Sequence, residues 1–388
     1  MTAKPAAARR PRTILVAHPS ADLYGSDRVL LESVSGLVEA GWRVAVTTPE
    51  PGPLVALLEA RGARVVHCPS PVLRKAMLRP RGLVELVRQG LVGLRRGSRL
   101  VSSLRPDAVY VNTVTVPLWL VVARLRRVPV LCHVHEAEGS APRVVRALLA
   151  APLLLANAVI ANSQFSIDVL RTSSRRLAAR TELVYNGVPG PASRVLARET
   201  LTPPVRLVYL GRLSPRKGVS VAVSALAALD ALGVRATLDL VGAVFPGYEW
   251  YEQELRDQVA RLDLADRVTF HGFLDDVWTL VAACDVLVVP SVVDEPFGNT
   301  AVEGVLSARP VVASATSGLL EATAGYRSAQ TVTPDDPDAL ARAVADVVQQ
   351  WPAYRANAWD DASTATTRHA PQGYRSAVSK AVERMVDA

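Results

Sequence analysis

Short, uninterrupted apolar runs separated by helix-forming segments recur along the chain, and this pattern limits the fold more than any other feature. An apolar run without polar alternation reads as a strand buried on both faces, as in a parallel sheet. Parallel neighbours need long crossovers, and helices supply them. Runs of this kind occupy Thr13 to Ala17, Arg43 to Thr47, Arg64 to His67, Ala108 to Val111, Val130 to His133 and Ala158 to Ala161. Between the first two, Ser26 to Ala40 has helical spacing, with Leu30, Val34, Leu37 and Val38 on one face and Gly41 as its stop. A second helix is expected over Leu54 to Ala60. The pattern repeats with strands at Arg206 to Leu210, Thr237 to Val241, Val268 to His271, Val286 to Val289 and Val311 to Ala313. The expectation is α/β, with a doubly wound sheet in each half.

With 388 residues, two domains of roughly 100–200 residues each are expected. Pro189 to Pro204 holds four prolines and little apolar periodicity, so it reads as the connecting segment. The boundaries predicted are residues 1–190 for the first domain, 191–204 for the linker and 205–371 for the second, with a helix over 372–388 returning to the first. Cys68, Cys132 and Cys284 are odd in number and each lies in or beside an apolar run. Buried reduced thiols in a cytoplasmic protein fit this pattern. The apolar run behind the basic residues Met1 to Arg12 is too short for a signal segment. The longest apolar stretch, Ala147 to Ala161, contains Pro152 and Asn157 and falls short of the roughly 20 residues of a spanning helix. A soluble or membrane-surface protein is expected.

Net charge is +8, unevenly spread. Up to Leu196 there are 27 Lys and Arg against 12 Asp and Glu; from Ala197 onward the count is 17 against 24. The basic half suits an anionic lipid surface or a phosphate-bearing acceptor. Nine of the cations and a single acid, Glu85, lie between Arg74 and Arg105. There Arg81, Arg88, Arg95 and Arg99 share one helix face, while Leu83, Val87, Leu91 and Leu94 fall on another. Such a basic amphipathic helix fits an anionic membrane, and equally an ordinary surface helix of the sheet. Aromatic residues for stacking bases are scarce, so nucleic acid is not an expected partner.

Ligands of doubly wound sheets sit at the carboxyl ends of the strands. After Leu210 come Gly211, Arg212, Leu213, Ser214, Pro215, Arg216, Lys217 and Gly218, with a helix starting near Val219. A glycine turn, cations and a helix start suit a diphosphate, although a solvated basic turn would look the same in isolation. The spacing is not that of a Walker loop, and no Gly-x-Gly-x-x-Gly follows a strand, which argues against a nicotinamide enzyme. After Val289 the chain reads Pro290 to Glu295, Pro296, Phe297, Gly298, Asn299, Thr300, and then Glu303 on the next helix. The first amides of that helix suit a phosphate or sugar oxygen, and Glu303 suits a diol.

Gly211-Arg212 with Lys217-Gly218, followed by Glu295-Pro296-Phe297-Gly298 and Glu303, resembles the retaining glycosyltransferases of family four, which adopt the GT-B fold. The resemblance extends over nearly the whole chain through His271-Gly272-Phe273, Asn186-Gly187-Val188 and Asn162-Ser163. It implies two Rossmann-like domains facing each other across a cleft. By this resemblance Arg212 and Lys217 bind the donor diphosphate, Glu303 the ribose, and Glu295 hydroxyls of the donor sugar. Phe297 and the amides of Gly298, Asn299 and Thr300 support sugar and phosphate, while Gly272, Phe273 and Leu274 pack near the base. In the first half the matching loops are Tyr24-Gly25-Ser26-Asp27-Arg28 and His133-Val134-His135-Glu136. Gly25 is expected against the donor phosphate, His135 against the reacting sugar, and Ser26 and Glu136 on the acceptor side. Ser26 stands where the family often has a second glycine, and Pro189 where it often has Asp. Gly318, in the loop after Ala313, is expected to serve conformation.

No hydrolase triad, metal cluster or Asp-x-Asp is apparent, so a reaction without metal or cofactor is expected, with cations and helix starts holding the leaving diphosphate. The resemblance implies transfer of a hexose or deoxyhexose with retention to a sugar, lipid-linked or small-molecule acceptor. A nucleotide-sugar 2-epimerase and a non-catalytic donor-binding subunit are the alternatives.

Overall fold

A computed structural model of the chain describes residues 11–23, 25–73, 80–137, 139 and 141–388, and side chains at 80–83 are left aside. Tyr24, residues 74–79, Arg81 and Leu83, named above, therefore lie outside what is described. The described residues divide into two compact units. The first comprises residues 1–162, 166–187 and 372–388, and the second residues 163–165 and 188–371.

In the first unit the strands are β1 (Thr13–Ala17), β2 (Arg43–Thr48), β3 (Arg64–His67), β4 (Ala108–Val111), β5 (Val130–Val134), β6 (Ala158–Ala161) and β7 (Thr181–Leu183). The helices are α1 (Gly25–Glu39), α2 (Leu54–Ala60), α3 (Pro80–Leu104), α4 (Leu118–Leu125), α5 (Arg143–Ala150), α6 (Gln164–Ser173) and α7 (Arg175–Ala179). The sheet is parallel, in the order β3-β2-β1-β4-β5-β6-β7. One layer of core, around Leu15, Val109, Val111, Trp119 and Val134, packs α4 and the end of α3 on one face. The other, around Ile14, Val16, Leu30, Val34 and Tyr110, packs α1.

The second unit holds β8 (Val205–Leu210), β9 (Ala236–Val241), β10 (Val268–Gly272), β11 (Val286–Val289), β12 (Val311–Ser314) and β13 (Ala329–Val332). Its helices are α8 (Val219–Ala231), α9 (Glu249–Arg261), α10 (Trp278–Ala283), α11 (Asn299–Leu306), α12 (Ser317–Thr323), α13 (Pro337–Gln349) and α14 (Trp351–Arg368). This sheet is parallel as well, in the order β10-β9-β8-β11-β12-β13. The last helix, α15 (Pro371–Asp387), closes the first unit. There Tyr374, Val378, Ala381, Val382 and Met385 join the core around Ile14. Arg375 pairs with Glu32 at 2.7 Å and Glu39 at 2.6 Å on α1.

Residues 191–204 carry no helix or strand, yet they are not a loose connector. Ala197 is buried in the second core, and Arg198 forms a two-pronged pair with the buried Asp285 at 2.8 and 2.6 Å. Asp285 also accepts from the Arg206 amide at 2.7 Å, so one carboxylate joins this segment to β8 and β11. On α3 the apolar positions divide. Leu94, Leu100, Val101 and Leu104 face the core, whereas Val84, Val87 and Leu91 are 73%, 56% and 58% exposed.

Candidate active site

In each sheet the strand order reverses once, between β1 and β4 and between β8 and β11. Crossovers leave on opposite faces at such a point, so the loops part and open a crevice at the carboxyl ends.

In the second unit the loop after β8 is pinned on both sides. Gly211 N–H donates to Val241 O at 2.9 Å and Leu213 N–H to Ala243 O at 3.0 Å. Gly242 approaches so closely that an added Cβ would sit 1.9 Å from Gly211 O. The Tyr209 hydroxyl donates to Arg212 O at 2.7 Å, and the Arg212 guanidinium lies 5.2 Å from the centre of the Phe245 ring. One turn of 3-10 helix, Pro215–Lys217, follows, and Gly218 at φ 65° starts α8. A Cβ at 218 would lie 1.8 Å from Pro290 O, so only glycine lets the turn lie against the loop after β11.

That contact brings the loops after β8 and β11 together. Lys217 Nζ is 2.6 Å from Glu295 Oε1, which also accepts from Ser291 Oγ at 2.7 Å. Val292 N–H donates to Arg216 O at 3.0 Å. The loop after β12 braces the same turn, with Gly318 N–H donating to Glu295 O at 3.1 Å and Ser317 Oγ to Asp294 at 2.8 Å. Gly298 is the N-cap of α11, Asn299 and Thr300 lie in its first turn, and Glu303 one turn on is half-buried. Gly272 ends β10 and accepts from the Gly242 amide at 2.8 Å. Beyond it Phe273 is exposed and Leu274 half-buried. Phe297, expected at the donor, is turned inward. Its ring is 2% exposed and meets His369 edge-on at 5.7 Å, so it anchors the turn from the interior.

In the first unit Gly25 and Ser26 open α1 and are exposed. His135, just past β5, is buried. Its Nε2 lies 3.0 Å from Asn112 Oδ1. Asn112 Nδ2 lies 3.1 Å from His18 Nδ1, and His18 Nε2 lies 2.6 Å from Asp27 Oδ1. His133 stacks on His135 with ring centres 3.8 Å apart. Burial, with His18 nearby, pushes the His135 pKa down to about 3; burial and His135 push His133 well down too. Both rings are therefore neutral at pH 7. Glu136, expected on the acceptor side, turns back into its own loop. It accepts from the Thr113 hydroxyl and from the amides of Val114 at 3.2 Å and His135 at 3.1 Å. Burial raises its pKa against these bonds, and its task is to clasp the ends of β4 and β5.

Sequence reasoning passed over His18, Asp27, Asn112 and Ser291. The signal available was a polar residue immediately after an apolar run at a strand-order reversal, as at Ala17-His18 and Val111-Asn112. Among the described residues no group of His, Cys, Asp and Glu is placed to hold a metal ion, and no helix is long and apolar enough to cross a membrane.

Two Rossmann-like units with cation and carboxylate gathered at the strand ends of the second are the build of a GT-B glycosyltransferase. Residues 24–189 match the model of Glycosyltransferase Family 4, and residues 204–350 that of Glycosyl transferases group 1. The chain belongs to glycosyltransferase family four. It is 29% identical over 278 residues to glycogen synthase of Mycobacterium tuberculosis, a match spanning 66% of this chain and 64% of that one. It is 30% identical over 234 residues to D-inositol 3-phosphate glycosyltransferase of Stackebrandtia nassauensis, covering 56% and 52%. The matches thus span less than two thirds of these relatives. HepE of Anabaena in complex with UDP-glucose shares the fold at a TM-score of 0.80 and 23% identity, over 96% of this chain and 99% of that one.

Proposed function

We propose that the protein transfers a hexose or deoxyhexose from a nucleotide-diphosphate sugar to an acceptor hydroxyl, with retention at the anomeric carbon and without a metal. The observation that carries this reading is the 2.6 Å pair of Lys217 and Glu295, set beside Arg212 at the carboxyl ends of neighbouring strands. A cation and a carboxylate so close suit a ligand with a diphosphate next to a polyol. Lys217 turns to phosphate and Glu295 to sugar hydroxyls once the donor arrives. Arg212 and the amides at Gly298 to Thr300 hold the leaving group, and Glu303 accepts from the ribose diol. His135 meets the reacting sugar, with Gly25 against phosphate and Ser26 on the acceptor side. Gly272, Phe273 and Leu274 border the base. The bond from C1 to the diphosphate oxygen breaks, a bond from C1 to the acceptor oxygen forms, and the acceptor proton passes to the departing diphosphate. The bound structure of HepE with UDP-glucose supports a uridine donor as the first to try.

Val84, Val87 and Leu91 project from α3 among the exposed Arg88, Arg95 and Arg99. Apolar side chains flanked by cations suit the interface of an anionic bilayer. The reading is a peripheral protein on the cytoplasmic face of a membrane, with a lipid-linked acceptor. Flotation with vesicles containing or lacking anionic lipid tests it; equal flotation refutes it.

The experiment for the reaction itself is incubation with donor and acceptor in EDTA, followed by NMR of the anomeric proton. A product with the donor's configuration is expected, and inversion refutes retention. Conversion of the donor sugar without acceptor would mark an epimerase instead.

A further inference from the structure

At the strand-order reversal of the first unit, four polar side chains form a single file across the ends of β1, β4 and β5. Asp27 leads to His18 at 2.6 Å, His18 to Asn112 at 3.1 Å, and Asn112 to His135 at 3.0 Å. All four are at least nine-tenths buried. Groups so buried must satisfy each other, so the bond pattern is set by what each end can do. An ionised carboxylate only accepts. Asp27 therefore takes the Nε2 proton of His18, and the Asn112 amide nitrogen, which can only donate, faces His18 Nδ1 at 3.1 Å, so Nδ1 is the acceptor. The Tyr110 hydroxyl on Asn112 Oδ1 fits the same orientation of the amide. Asn112 Oδ1 then faces His135 Nε2, which has to donate. The Tyr110 hydroxyl donates to the same Oδ1 at 2.9 Å and holds the amide from the other side.

We propose that Asn112 and His18 are positioning residues that hold His135 in the Nε2–H tautomer and so present its Nδ1 lone pair as the acceptor for a hydroxyl of the reacting sugar. The chain of donation ends on the Asp27 carboxylate, so its direction is one-way. Among the described residues Nδ1 of His135 makes no hydrogen bond, which leaves it available to substrate. Burial keeps the ring neutral, so the second nitrogen stays an acceptor at pH 7. The contact with sugar rests on the function proposed above; the tautomer does not.

The test uses the full chain labelled with 15N-histidine. Long-range proton–nitrogen correlation reads the protonation of each ring nitrogen, and comparison with His135→Gln assigns the signals. His135 protonated at Nε2 alone is the expected result. Asn112→Ala should leave it averaging between tautomers. With a turned-over donor, Asn112→Ala should lower kcat about tenfold or more, as other wrong-tautomer histidines do, with KM for the donor nearly unchanged. Asn112→Asp keeps the acceptor toward His135 and should restore the tautomer and part of kcat. His135 protonated at Nδ1 or at both nitrogens in the wild type overturns the proposal, as does Asn112→Ala with an unchanged spectrum. If no donor is turned over, the function proposed above fails, while the spectra still decide the tautomer.

Discussion

Replacing Gly242 by Ala tests whether the loop after β8 is built for close approach to a diphosphate. Gly242 has φ 141°, and an added Cβ would lie 1.9 Å from Gly211 O and 2.8 Å from Gly211 C. Backbone faces backbone, so no side chain can swing away. Real Cβ atoms do not come within 3.0 Å of such neighbours, so Gly211 must retreat by about 1.1 Å, and a misplacement of about 1 Å in a binding loop costs about a hundredfold in rate. Arg212 moves with it, since Gly211 and Leu213 are hydrogen-bonded to Val241 and Ala243 on either side of the obstruction. The backbone strain adds about 1–3 kcal/mol of destabilisation. Gly233→Ala is the control. Gly233 has φ 73° in the turn between α8 and β9, with nothing within 4 Å of an added Cβ. It should cost about 1 kcal/mol of stability from strain alone and leave donor binding intact. Calorimetric titration with the nucleoside diphosphate giving the largest thermal shift, together with urea unfolding, separates the two effects. Equal affinity in the two variants would refute the cradle.

Lys217→Ala should lower stability by less than about 1 kcal/mol, because the pair with Glu295 is partly exposed. The same change should weaken nucleoside diphosphate binding about tenfold to a hundredfold by removing a charge-assisted bond, and unchanged calorimetric affinity would contradict its role. Acid should unfold the first unit early. The folded state holds His135 near pKa 3 against an ordinary value of 6.5, so below pH 6.5 the unfolded chain binds a proton that the folded one does not. At pH 5.5 this costs about 1.4 kcal/mol relative to neutral pH, growing until pH 3. His133 adds in the same direction, while Glu136, whose pKa is raised, opposes it as pH falls. Urea midpoints at pH 7.5 and 5.5 check this; a flat profile would mean that these rings are not buried and neutral.

The fold was largely legible because most strands lie inside their sheets. Buried on both faces, Thr13–Ala17 and Val286–Val289 read as unbroken apolar runs and emerge with the predicted bounds. Thr181–Leu183 and Ala329–Val332 were missed because they are short, half-exposed and mixed in composition, with no two adjacent apolar residues. The meeting of the loops after β8 and β11 was legible because glycine, cation and carboxylate lie close together in sequence. The file from Asp27 to His135 was not, since its members come from separate loops and meet only through strand order. Phe297 and Glu136 were themselves expected to face ligand, and nothing in the sequence reveals which way a side chain turns. Burial decided both, placing the ring against His369 and the carboxylate against its own loop.

The central claim is that a nucleotide-diphosphate sugar binds at the carboxyl ends of β8 and β11. Hydrogen–deuterium exchange with and without a saturating nucleotide sugar tests it most directly, since amides that gain bonds or lose local opening exchange more slowly. Slower exchange at residues 211–218 and 298–303, reduced in Arg212→Ala and Lys217→Ala, is the result predicted. Saturation of the protein without a change in those segments, or with protection elsewhere in their place, would contradict it.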